Sequence, residues 1–146
     1  MRAEVHSLKD LKTYIKDWSE QLGSKEIVLL SGPMGAGKSQ LVNYLVESLG
    51  GGTQSHSPTF SLHNTYSTES SHVDHLDLYR LESEEDLESS GFWDLFDQEK
   101  AIICIEWADR LPDDIFPPSW GIFKLKISKD PENSNAEFRW IESQRM

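Results

Sequence analysis

A three-layer α/β fold, built on a mainly parallel central sheet with antiparallel edge strands, is the architecture this sequence predicts. Three observations carry that prediction. Two short apolar runs, "EIVLL" at 26–30 and "AIICIE" at 101–106, are continuous rather than alternating, as in strands covered on both faces. The first passes through a glycine-rich loop into residues with helical spacing, so strand, loop and helix follow one another. Near the C-terminus, 120–127 and 136–141 alternate as half-buried strands do and read as an antiparallel hairpin at the sheet edge.

Taken in order, Leu8, Leu11, Ile15, Trp18 and Leu22 recur at 3-4-3-4 spacing and form one apolar stripe on a helix. Ser7 can cap it, Asp10 forms a weaker version of the capping box, and Gly23 suits a left-handed stop. "EIVLL" is the first buried strand. Leu41, Val42, Leu45, Val46 and Leu49 then mark a second helix, ended by "GGG" at 50–52. "TFSLHNTY" and "VDHLDLYRL" alternate as two strands around a Ser/Thr-rich turn at 67–71. Ser83 with Asp86 marks another helix start and Gly91 its stop. "AIICIE" is best placed as a central strand beside the first. Pro112, Pro117 and Pro118 punctuate the loop before the C-terminal hairpin.

The 146 residues are read as one domain, 1–146, large enough to bury about two-thirds of the surface of the unfolded chain. Lys and Arg number 14 against 25 Asp and Glu, a net charge of −11. That balance opposes the counterion release that drives nucleic-acid binding, so no direct grip on RNA or DNA is expected. The charge is concentrated: residues 74–114 hold 14 acidic and 3 basic side chains, a balance of −11. Such a segment reads as a solvated face, or as a docking face for a basic partner protein. The single cysteine, Cys104, cannot form an internal disulfide and reads as packing, which points to a reducing compartment. With neither a secretion signal nor an apolar run near 18 residues, no membrane association is expected and the location is predicted as cytoplasmic.

The chemistry concentrates in "GPMGAGKS" at 32–39, which fits the eight-position template of a phosphate-binding loop, or P-loop. Phosphate oxygens need donors on a concave surface, and consecutive amides converge only where no Cβ intrudes. Gly32, Gly35 and Gly37 remove that obstacle. The helix starting at Lys38 aims its positive dipole end at the same anion. Lys38 can reach β- and γ-phosphates, and the Ser39 hydroxyl can join the oxygen shell of Mg²⁺. A dinucleotide fingerprint is excluded, since Gln40 stands where Gly or Ala would be required.

A second metal contact is expected from a carboxylate at the end of a neighbouring buried strand, where "ICIE" places Glu106. Aspartate is more usual there, so Glu106 is a longer-armed variant that can act through water. In "HLDLYR", alternation puts His75, Asp77 and Tyr79 on one face, so Asp77 could orient an attacking water or bind metal-bound water. His72 and His75 face opposite ways and are discarded as a zinc pair. Trp107 is expected near the nucleotide pocket, whereas Trp18, Trp93, Trp120 and Trp140 read as core or hairpin packing.

Four stretches, "GPMGAGKS" at 32–39, "SPTFSLHNTY" at 57–66, "HLDLYRL" at 75–81 and "IEW" at 105–107, together closely resemble the TsaE family, small bacterial ATPases of tRNA threonylcarbamoyladenosine synthesis. The resemblance spans about residues 26–112 in order and spacing. It implies a P-loop NTPase-like fold that binds and hydrolyses ATP with Mg²⁺, slowly alone and in dependence on partners. Those partners would be the TsaD and TsaB proteins, which transfer threonylcarbamoyl to adenosine in tRNA. By motif match, Pro33, Met34, Gly35, Ala36, Gly37, Lys38, Ser39 and Gln40 would contact the nucleotide, with Thr59 in a switch-like loop. Lys38, Asp77 and Glu106 would be the catalytic residues, with Asp77 near the γ-phosphate. Ser39 and Glu106 would hold the metal. Trp107 matches a family tryptophan. The resemblance puts an N-terminal nucleotide contact near Ser7, and position alone makes Arg110 a phosphate or ribose contact. The sequence departs mildly: Ser39 stands where Thr is usual and Pro33-Met34 where Asp-Leu is common.

Two other readings compete. A small nucleoside or metabolite kinase shares the loop but needs an arginine-bearing lid, and Arg80, Arg110, Arg139 and Arg145 are scattered. A non-hydrolytic switch, in which ATP occupancy alone sets partner affinity, needs the same phosphate contacts and is not separable from an ATPase by sequence.

Overall fold

The computed structural model describes residues 2–33, 35–51, 63–69, 72–78, 92–107 and 115–146. They form one seven-stranded sheet from β1 (Arg2–Val5), β2 (Lys25–Ser31), β3 (His63–Ser67), β4 (His72–Asp77), β5 (Ala101–Glu106), β6 (Gly121–Ser128) and β7 (Arg139–Arg145). The strand order is β1-β7-β6-β2-β5-β4-β3. β6, β2, β5 and β4 are mutually parallel. Antiparallel β7 and β1 extend the sheet at one side, and antiparallel β3 closes the other. The fold is the predicted α/β class, P-loop NTPase-like, with a parallel centre and antiparallel edges.

Two apolar layers sandwich the sheet. On one face Val28, Leu30, Cys104 and Leu125 pack under helix α1 (Leu8–Ser19) and helix α2 (Lys38–Ser48) through Leu11, Ile15, Trp18, Leu41 and Leu45. On the other, Ile27, Leu29, Ile103 and Ile105 meet Phe92 and Phe96 of a 3₁₀ turn at Phe92–Asp97, together with Trp120. β5 is buried at all six positions, which is why its sequence shows no alternation. Each fully buried Leu or Ile contributes about 1.5–3 kcal/mol of transfer free energy, so these layers hold the strand ends in place.

Several expectations are corrected. Leu8, the first residue of the apolar stripe on α1, is 52% exposed. Ser7 does cap α1, its hydroxyl accepting from the Asp10 amide at 3.1 Å, but the Asp10 carboxylate takes the amide of His6 rather than that of the cap residue. Gly23 is not left-handed. The chain leaves α1 through i→i+3 bonds from Glu20, Gln21 and Leu22, so no left-handed residue is needed there. Gly50 is the left-handed stop, after α2. The C-terminal hairpin is not wholly at the edge: β6 lies inside the sheet, parallel to β2, and the edge beyond β7 is β1, which the sequence reading missed. Trp93 is 43% exposed, its ring meeting Phe92 edge-on at 5.0 Å rather than entering the core.

The acidic segment 74–114 divides. Asp74 and Glu106 are buried and contribute nothing to a solvated face, whereas Asp94, Asp97 and Glu99 are exposed. The helix expected from Ser83 to Gly91 lies outside the described residues. No helix among the described residues is long and apolar enough to cross a membrane.

Candidate functional site

The parallel strands β2, β5 and β4 end at one edge, and that edge collects the chemistry. β2 pairs Leu30 with Glu106, and Ser31 then opens the glycine loop. β5 ends on Glu106, and β4 ends on Asp77, which pairs with Glu106. Open α/β sheets bind ligands at the carboxyl ends of their strands for this reason: loops and helix N-termini converge there.

Gly32, Gly35 and Gly37 all have positive φ, at 146°, 80° and 112°. At Gly32 any side chain is barred, since a Cβ would sit 2.2 Å from the Ile127 carbonyl oxygen. Gly37 is the left-handed N-cap of α2, which leaves the first turn of that helix open at its positive end. Arg139, at the start of β7, braces the loop: its Nε donates to the Ala36 carbonyl at 2.9 Å. The Lys129 ammonium, just past the end of β6, lies 3.9 Å from where a Gly35 Cβ would be. Two cations from the C-terminal region thus stand at the loop of an acidic chain.

Lys38 is 8% exposed, and its ammonium is held three ways. It donates to the Gly32 carbonyl at 2.8 Å, stands 3.9 Å from Glu106 Oε1 and lies 4.4 Å from the centre of the Trp107 ring. Glu106 in turn accepts from His75 Nε2 at 2.6 Å through its other oxygen. Trp107 has φ 62°, a left-handed conformation uncommon for a bulky residue. It turns the chain sharply just after Glu106 and puts its ring beside Lys38.

Gly35, Gly37, Lys38, Ser39, Gln40, Asp77, Glu106 and Trp107 line one cleft of about 310 Å³. The structure therefore brings together residues predicted from three separate stretches of sequence. Pro33 and Ala36 lie on the loop without lining the cleft; the Ala36 amide is engaged by the Pro33 carbonyl at 3.1 Å. Met34, Thr59 and Arg110 lie outside the described residues. Ser7 sits at the same sheet edge, following β1, but serves as the cap of α1 and does not line the cleft. The sequence reading missed Arg139, Lys129 and the contact of His75 with Glu106. The only signal for Arg139 and Lys129 was their positive charge.

Cys104, directly beneath Glu106 on β5, is fully buried, and burial foremost, then the charges of Glu106 and Asp74, pushes its thiol well above the ordinary value of 9.0. The sign follows from proton counting: above pH 9 the unfolded chain releases a proton that the folded chain keeps, so stability falls as pH rises. Wild-type protein is expected to lose about 1 kcal/mol more stability between pH 9 and 10 than Cys104→Ala, because the variant lacks the titrating thiol. Urea unfolding at both pH values checks this, and equal losses would contradict it.

A family model described as threonylcarbamoyl adenosine biosynthesis protein TsaE matches residues 5–137. Curated relatives named tRNA threonylcarbamoyladenosine biosynthesis protein TsaE include one from Rickettsia typhi, 32% identical over 115 residues, 78% of either chain. Another, from Nostoc, is 37% identical over 120 residues, covering 81% of this chain and 72% of the relative. A third, from Synechocystis, is 39% identical over 101 residues, 65% of this chain and 64% of the relative. Among solved structures, Bacillus subtilis YdiB superposes with a TM-score of 0.64 over 97% of this chain and 82% of that one, at 17% identity. That last likeness is one of fold.

Proposed function

The chain belongs to the TsaE family, and from that premise we propose that it is a Mg²⁺-dependent ATPase serving tRNA threonylcarbamoyladenosine formation, acting in the cytoplasm with the TsaD and TsaB proteins. The observation that carries this reading is the cleft in which Lys38, Ser39, Asp77 and Glu106 meet at the mouth of α2. A triphosphate brings charge that a net acidic chain disfavours, and this cleft offsets it, since Lys38, Lys129, Arg139 and the N-terminus of α2 gather there.

The donor set fits Mg²⁺, which takes hard oxygen ligands and keeps several waters. Ser39 and Glu106 would hold it, and Asp77, exposed at the end of β4, would act through water. When bound, the ion would neutralise charge on the phosphates and orient them for displacement. The chain supplies the rest. Loop amides and the Lys38 ammonium bind β- and γ-oxygens, with Lys38 exchanging its hold on the Gly32 carbonyl for phosphate. Asp77 accepts a hydrogen bond from the attacking water and aims it. The Trp107 ring, 4.4 Å from the Lys38 ammonium, limits water access to it.

In this reading the threonylcarbamoyl transfer belongs to the partners, and nucleotide turnover drives their cycle. The test is ADP release by the purified chain, alone and with TsaD and TsaB. Slow Mg²⁺-dependent release that accelerates with the partners is expected. Release that is absent in both mixtures, or indifferent to Mg²⁺, rejects the proposal.

A further inference from the structure

The contact between His75 and Glu106 is not explained by anything so far assigned to the cleft. His75 lies on β4 opposite Cys104, one alternation deeper than Asp77, and on the same face as Glu106. Its side chain is 10% exposed and that of Glu106 7% exposed, so neither exchanges freely with solvent. At 2.6 Å, Nε2–H donates to Oε2 of the carboxylate and occupies it. The second oxygen, Oε1, is left on the side of Lys38, 3.9 Å from the ammonium.

We propose that His75 is a positioning residue: it ties down one oxygen of Glu106 so that the other is presented to the cation site of the cleft. The proposal rests on the ATPase reading above and deepens it. It also accounts for the length of the acid. A glutamate has one more torsion than an aspartate, and freezing a free carboxylate of that length costs rotamer entropy each time an ion binds. His75 removes that freedom beforehand. An aspartate on the same backbone is one methylene shorter and would pull away from an imidazole already in close contact, so histidine on β4 and glutamate on β5 function as a pair. Hydrogen-bond donors that orient metal-binding carboxylates act in this way in general, and their loss typically lowers metal affinity about 10- to 100-fold.

Two variants separate positioning from mere packing. His75→Leu keeps the volume without a donor, and His75→Gln keeps an N–H at comparable reach. The measurements are circular dichroism, ATP affinity by calorimetry in EDTA, and the Mg²⁺ concentration that half-restores the metal-dependent increase in that affinity. For His75→Leu the Mg²⁺ midpoint is expected to rise about 10- to 100-fold while ATP affinity in EDTA stays within about twofold. His75→Gln is expected to recover most of the shift. An unchanged midpoint in His75→Leu overturns the proposal, as does an equal shift in both variants or a parallel fall in EDTA affinity. Should His75→Leu fail to fold, His75→Asn, whose amide is too short to reach Glu106, takes its place under the same expectations. Wild-type protein that binds no ATP removes the ATPase reading itself. Wild-type that binds Mg·ATP beside an unaltered His75→Leu removes only the role of His75.

Discussion

Replacing Lys38 by alanine is expected to weaken Mg·ATP binding by about 100-fold or more while leaving the chain folded. The Lys38 ammonium is held by the Gly32 carbonyl, the Glu106 carboxylate and the face of Trp107. All three hold it at the mouth of α2, so a triphosphate entering the cleft meets a cation that is already desolvated and aimed. Each charge-assisted hydrogen bond to a phosphate oxygen is worth about 1.5–3 kcal/mol, and two of them account for a loss of at least about 100-fold. Folding suffers less. The substitution leaves Glu106 with His75 as its remaining close partner, a cost of about 1–3 kcal/mol. Calorimetry on variant protein shown to be folded by circular dichroism checks the expectation, and an affinity within threefold of wild type would refute the loop assignment.

Glu106→Gln is expected to show the opposite separation. The amide preserves the shape of the acid and can still accept from His75 through its oxygen, so the strand end and the loop keep their arrangement. What disappears is the negative charge at the proposed metal position, next to Lys38. Nucleotide binding is expected to stay within about tenfold of wild type, while hydrolysis falls by at least about 100-fold. The same variant decides between an ATPase and a switch driven by occupancy alone. Lost threonylcarbamoyladenosine formation in cells carrying Glu106→Gln agrees with turnover as the driving step. Retained modification, with hydrolysis gone, would mean that occupancy suffices.

The glycine loop was legible because its constraint is contiguous: left-handed positions at Gly32, Gly35 and Gly37 and the Lys38-Ser39 pair occupy eight successive residues. β2 and β5 were legible because double-sided burial removes polar residues from a strand, which a short window can detect. Glu106 followed from its strand-end position and Asp77 from alternation along its strand, and the register of β4 on β5 pairs the two.

The misses have a common physical origin in pairings set by distant chain. β1 has four residues of which only Val5 is buried, too few for a period to show. β6 alternates like an edge strand because its sequence records which residues are covered, not which strand lies alongside, and its partner β2 is about 95 residues earlier. His75 reads alike whether it serves as a metal ligand, packing or a brace; only the register of β4 on β5 brings it to Glu106. Arg139 reaches Ala36 across 103 positions, a contact that exists only once β7 is folded beside the loop. Leu8 and Trp93 failed for a simpler reason, since apolar residues at the ends of elements need no cover.

The cleft at the mouth of α2 is expected to seat a triphosphate together with Mg²⁺. Isothermal titration of the folded chain with Mg·ATP, run beside inorganic phosphate and AMP, tests it most directly. Saturable one-to-one binding of Mg·ATP is predicted, with AMP and phosphate far weaker because neither spans the loop from Gly35 to Lys38 and the metal side at once. No saturation at millimolar Mg·ATP, with TsaD and TsaB also present, would contradict it.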